Sequence, residues 1–177
     1  PIQVKATGAG QYVTGCVFDL GMINGVHGLD LVADGAGCWM ISNTFINGQI
    51  GHDASGYGVN RSGIRMRSIN GALAMHDLRF HDVDIELGND GVNTSYAFET
   101  VGSVSFIADG LYLEGNSGFL KSDGGGYCQA MYNIAESAGD TLITEPTFSG
   151  STVISREQVY GNAVTSGSGN RTLGRNH

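Results

Sequence analysis

The stretch NTFING, residues 43–48, sets an aromatic side chain just ahead of an Asn-Gly turn signal. The same frame recurs as CVFDLG (16–21), LRFHD (78–82), GLYLEG (110–115) and PTFSGS (146–151). Its aromatic residues are Phe18, Phe45, Phe80, Tyr112 and Phe148, separated by 27, 35, 32 and 36 residues. A loose repeat of that length, made of short apolar strands and glycine turns, is the signature of a solenoid. Each unit of a solenoid buries its apolar side only against its neighbours.

Two further strand-like segments lie between successive markers. One set reads GLDLVADG (28–35), GIRMRSING (63–71), SYAFETVG (95–102) and CQAMYNIAES (128–137). The other reads CWMIS (38–42), ALAMHD (72–77), SVSFIAD (103–109) and DTLITE (140–145). Three short β segments per repeat, each alternating with period 2, describe one coil of a single-stranded right-handed parallel β-helix. The expectation is an all-β domain of about five coils over residues 1–163, with the five markers stacked inside. Coils would repeat at roughly 4.8 Å, the spacing of hydrogen-bonded strands. A β-sandwich or jelly roll is the alternative. It accounts for the glycines but not for three aligned segments per repeat. The loop 52–63 is expected to protrude as a lip, and residues 164–177, rich in Gly and Ser, form a flexible tail.

Composition agrees with many strands and tight turns. There are 29 glycines, 2 prolines and 41% hydrophobic residues. Seventeen acidic against nine basic residues give a net charge of -8. That balance argues against binding nucleic acid through its phosphates. No apolar run approaches the roughly 18 residues of a membrane-spanning helix. The chain opens at Pro1, as a trimmed chain or a piece of a longer protein would. Cys16, Cys38 and Cys128, each among apolar neighbours, read as buried thiols. Their spacing offers no metal motif.

The repeat register picks out carboxylates. Three residues before each marker stand Gly15, Ser42, Asp77, Asp109 and Glu145; two residues after stand Leu20, Asn47, Asp82, Glu114 and Gly150. On this alignment Asp77, Asp109 and Glu145 stack outward on adjacent coils, and Asp82 adjoins Glu114. Like charges at strand spacing push at least one pKa up, which is how paired carboxylates divide into acid and base. Asp77, Asp109, Asp82 and Glu114 are therefore the catalytic candidates for glycoside hydrolysis. Arg79, expected one coil from Leu111, lies in the same patch and with Glu145 is a substrate-binding candidate. Tyr57 and Tyr127, in glycine-rich loops, are the candidates for stacking on sugar rings. The competing reading of the patch is a solvated acidic face, and Ca²⁺ held by its oxygen atoms is a third; no cofactor is otherwise called for. Strict alternation in HDVDIE (81–86) puts Asp82, Asp84 and Glu86 on one face and His81, Val83 and Ile85 on the other. His76 is expected to be half-buried.

The coils NTFINGQ, GIRMRSING, LRFHDVDIELGNDG, GLYLEGNSGFLKSDGGG and EPTFSGS resemble the pectate-lyase-like parallel β-helix superfamily, over roughly residues 12 to 162. Within it the likeness is to bacteriophage tailspike and capsule-depolymerase domains. The resemblance implies a homotrimer on a virion tail, outside the cell. It implies binding, and often cleavage, of host capsule or lipopolysaccharide by carboxylates in a groove or between subunits. Some members instead cleave uronic-acid polymers by β-elimination with basic residues or Ca²⁺. Five coils are fewer than tailspike catalytic domains carry, so a non-catalytic glycan- or receptor-binding domain and a structural spike segment stand as alternatives.

Overall fold

A computed structural model describes residues 2–51, 59, 61–87, 95–114, 118–123, 126–135, 154–156 and 172–174. All regular structure among them is β. The strands are β1 (Ile2–Thr7), β2 (Tyr12–Thr14), β3 (Val17–Ile23), β4 (His27–Asp34), β5 (Trp39–Ile41), β6 (Thr44–Ile50), β7 (Arg61–Ile69) and β8 (Met75–His81). They continue with β9 (Asp84–Glu86), β10 (Ser95–Val101), β11 (Val104–Glu114), β12 (Gly118–Asp123), β13 (Gly126–Ala135), β14 (Ile154–Arg156) and β15 (Thr172–Gly174). Every pairing is parallel.

Non-consecutive strands are neighbours throughout. One sheet runs β1-β4-β7-β10-β12, and an eight-stranded sheet gathers β2, β3, β5, β6, β8, β9, β11 and β13. The chain therefore visits one sheet, then the other, and returns one strand further on. Parallel neighbours require such crossovers, because no tight hairpin can join them. The first return is 27 residues long, placing Ile2 opposite Leu29 and Phe18 opposite Phe45. The second is 35, placing Leu29 opposite Ile64 and Phe45 opposite Phe80.

One continuous core lies between the sheets. Leu29, Leu31, Ile64, Met66 and Phe98 enter it from one side, and Phe45, Phe80, Phe106, Leu111 and Leu113 from the other. Phe18, Phe45 and Phe80 stack in sequence, with ring centroids 4.9 and 5.1 Å apart. The expected stack then ends. Tyr112 pairs with Asp84 rather than Phe80, and lies half-buried between the inward Leu111 and Leu113. Ala108 sits opposite Phe80 instead. Phe98 and Phe106 fill the space this small side chain leaves, both edge-on to Phe80 and stacked on each other at 4.7 Å. The third return is thus about four residues shorter than the aromatic frame implies. The fourth is shorter again: Tyr96 is opposite Gly118, an offset of 22. As a result the 128–137 segment belongs in β13 against β11, not beside β10; β12 takes that place. Phe148 lies outside the described residues. So does the tail apart from Thr172–Gly174, which pairs with Ile154–Arg156.

Corners are made by left-handed residues at matching positions. Gly15, Ser42 and Asp77 carry φ of 67, 54 and 52°, and Asn47 and Asp82 carry 55 and 52°. Asn and Asp tolerate this conformation because their short side chains bond locally. Fully buried Asn43 seals the first of these breaks. Its Oδ1 accepts the Cys16 amide at 3.0 Å and its Nδ2 donates to the Val13 carbonyl at 2.9 Å. A methyl group at Gly15 would meet nothing within 4 Å, so only backbone strain opposes it. Gly15→Ala is expected to cost about 1 kcal/mol, and Gly15→Asn less, by urea denaturation. Of the thiols, Cys38 is buried and donates to the Gly8 carbonyl at 2.6 Å. Cys16 is exposed, contrary to expectation: it lies between β2 and β3, which among the described residues pair on one side only, whereas Asn43 and Leu78, after the matching turns at Ser42 and Asp77, are covered on both sides and fully buried. The Cys128 side chain is outside the description.

Candidate functional site

The acidic patch forms, with different neighbours from those the aromatic frame sets. Asp109 is opposite His81, not Asp77, and Arg79 is opposite Ile107, not Leu111. Glu114 is opposite Glu86, not Asp82. The cause is the same four-residue shortening. Asp77 sits instead beside Ser42 and Arg79, which donate to its carboxylate at 2.8 and 3.0 Å. The Ser42 hydrogen bond, and then Arg79, hold the Asp77 carboxyl below the usual range. Such a group is an anion rather than a proton donor.

Register brings Asp82 and Asp109 to one corner even so. The Asp82 amide donates to the Asp109 carbonyl at 3.1 Å. Asp82 is placed over Gly110, where any side chain would run into its carboxylate and backbone nitrogen. On Asp109 itself the carboxylate pairs with His81 Nδ1 across the strand boundary, each side chain being 35% exposed. In the neutral ring, a carboxylate at Nδ1 places the hydrogen there and leaves Nε2 as the free nitrogen. Left-handed Asp82 also explains why His81 faces outward, not inward with Val83 and Ile85. A left-handed residue resets the alternation, so Phe80 is in, His81 is out, and Val83, Ile85 and Leu87 are in again. Past the turn, burial, then the Glu86 and Asp82 carboxylates, push the Asp84 carboxyl up. His76 is exposed, since it sits one residue before the left-handed Asp77.

Sequence reasoning named His81 and Asp84 in HDVDIE but set neither among the site candidates. The signal was available: Phe45-Ile46-Asn47 and Phe80-His81-Asp82 each place a left-handed-tolerant residue two positions after the aromatic. Tyr57 and Glu145 lie outside the described residues, as do the side chains of Glu114 and Tyr127. Among the described residues, no three His, Cys, Asp or Glu side chains are placed to hold a metal ion.

A second polar cluster covers the outer side of the five-stranded sheet. The row Gln3, Asp30, Arg65, Glu99 and Lys121 crosses all five strands. Asp30 accepts from Arg65 at 3.0 and 3.2 Å, from Arg67 at 3.2 and 2.8 Å, and from Gln3 at 2.6 Å. Burial by itself would raise its carboxyl, but the arginine hydrogen bonds outweigh that and hold it below the usual range. His27 Nδ1 contacts the Ser62 hydroxyl at 2.6 Å, and Ser62 donates to Glu99 at 2.9 Å. These charges neutralise one another across strands and read as the cross-strand ties of a sheet. No family model matches the chain, and comparison with curated proteins and with solved structures returns no match.

Proposed function

We propose that the stacked circuits form a right-handed parallel β-helix and that its outward face at β8, β9 and β11 binds a bacterial surface polysaccharide. One observation carries this. The stacking brings Asp109 of β11 against His81 and Asp82, at the end of β8, on one part-exposed corner of the strand that also carries the Asp77–Arg79 ion pair. Charged and amide-like groups on a rigid scaffold suit sugar hydroxyls, which both donate and accept. Hydrolysis of the glycan is the further part of the reading. A general acid is favoured by a raised carboxyl pKa, and burial with the neighbouring carboxylates raises that of Asp84. Asp82 and Asp109 are the neighbouring carboxylates for activating water. On this reading the protein acts as a homotrimeric spike on a phage tail, outside the cell, and meets capsule or lipopolysaccharide there.

The test exposes the full chain to a panel of purified capsules and lipopolysaccharides, measuring binding by biolayer interferometry and cleavage by reducing ends. At least one glycan should bind, with reducing ends lowered about 100-fold in Asp84→Asn while binding persists. Binding without new reducing ends reduces the protein to a recognition module. A panel with no binder removes the glycan reading altogether.

A further inference from the structure

His81 and Asp109 offer something the carboxylate reading does not use. We infer that they form a general-base dyad that hydrolyses acyl esters, the natural targets being acyl groups on a glycan. Asp109 on β11 accepts a hydrogen bond from Nδ1 of the neutral His81 ring on β8, which orients the ring. Both side chains are part-exposed on an outward strand face, so water and a polymer-borne ester can reach Nε2. The ring stands in its row between Ile46 on one neighbouring strand and Asp109 on the other. It thus has an apolar wall on one side and an orienting anion on the other. An imidazole held by a carboxylate is the group that shuttles a proton in acyl transfer.

The step balances with water alone. Nε2 takes a proton from water as its oxygen bonds to the ester carbonyl carbon. The tetrahedral adduct then collapses, the carbon–alkoxide bond breaks, and the imidazolium proton passes to the departing sugar oxygen. The products are a free hydroxyl and a carboxylic acid. Nothing is oxidised or reduced. Imidazole suits this role because it can accept and then return the proton near neutral pH. Asp82, one residue on, and Arg79, two residues before, are the charged groups of the same turn; Asp109 is the one facing from the adjacent strand.

The experiment uses the full chain with p-nitrophenyl acetate and with O-acetylated xylan, following nitrophenolate and acetate release. Wild type should turn over both. His81→Gln should lower kcat by 100-fold or more, the usual contribution of a positioned base, and added imidazole should restore part of it. Asp109→Asn should lower kcat with little change in KM. His76→Gln removes an exposed imidazole outside the dyad and should leave the rate unchanged. Unfolding midpoints of the four proteins, measured alongside, separate lost chemistry from lost folding. Release no faster in wild type than in His81→Gln, or a His81→Gln loss that imidazole does not rescue in a folded protein, overturns the dyad. The nitrophenyl ester needs no glycan site. A chain that hydrolyses it yet binds no polysaccharide keeps the dyad and loses the glycan reading.

Discussion

Replacing Phe80 by alanine is expected to destabilise the protein by about 3–5 kcal/mol, the range for truncating a buried phenylalanine. Phe80 is fully buried where two arrangements of aromatic rings meet. It stacks on Phe45 and also makes T-shaped contacts with Phe98 and Phe106, 5.5 and 5.9 Å away. Its strand neighbour Ala108 is too small to move into the void. The sheets on either side are tied by parallel ladders and cannot close the gap without breaking register. The loss is therefore the transfer energy plus most of a cavity. Phe80→Leu retains much of the volume but gives up the ring contacts, worth about 1 kcal/mol. Urea denaturation of both variants measures the difference. A Phe80→Ala cost below about 1 kcal/mol would mean that this core is not packed as described.

Asp30→Asn is expected to cost about 3 kcal/mol at pH 7, the lower end of the range for removing one partner of a buried ion pair. Asp30 is 4% exposed and receives two guanidinium groups, each through two hydrogen bonds. Asparagine keeps the shape but loses the anion, leaving Arg65 and Arg67 facing one another. Their side chains are 24% and 25% exposed, so water returns part of the loss. Linkage fixes the direction with pH. The folded Asp30 carboxyl titrates below its unfolded value of about 3.9. Its stabilisation is complete above that value and drains away as pH falls below it, through the folded pKa. Wild type and Asp30→Asn should therefore converge in acid. Denaturation series at pH 7 and at lower pH test this; equal stabilities at pH 7 would show that the cluster is not a tie between strands.

Much of the fold was legible because two of its signals stand in the linear sequence, local alternation and a recurrent aromatic spacing. Alternation in GLDLVADG and GIRMRSING marks β4 and β7, and the Phe18, Phe45 and Phe80 spacing gives the first two returns correctly. The same spacing misplaces Tyr112, because a circuit may swap which strand supplies its aromatic. Phe98 and Phe106 do the work that a ring at position 108 would have done. No local pattern announces that exchange, which depends on packing between two sheets. The site inherits the error. Asp82 and Asp109 were legible as outward carboxylates, but their partners were not, since a four-residue slip exchanges Asp77 for His81. The Asp30 cluster was missed for a different reason. Its members sit at the alternate positions of separate strands, and only their registration shows that two arginines share one acid.

The unequal returns have a consequence for how such a protein can change. Offsets of 27, then 35, leave the ladders of β3 with β6 and of β6 with β8 intact. The eight additional residues all fall between Ile50 and Arg61, whereas only three separate β3 from β4. Strand pairing thus sets no length for that crossing. A lineage could lengthen, shorten or exchange it as a cassette while the paired strands keep every registration. The frame is conservative, and novelty has a designated place to enter.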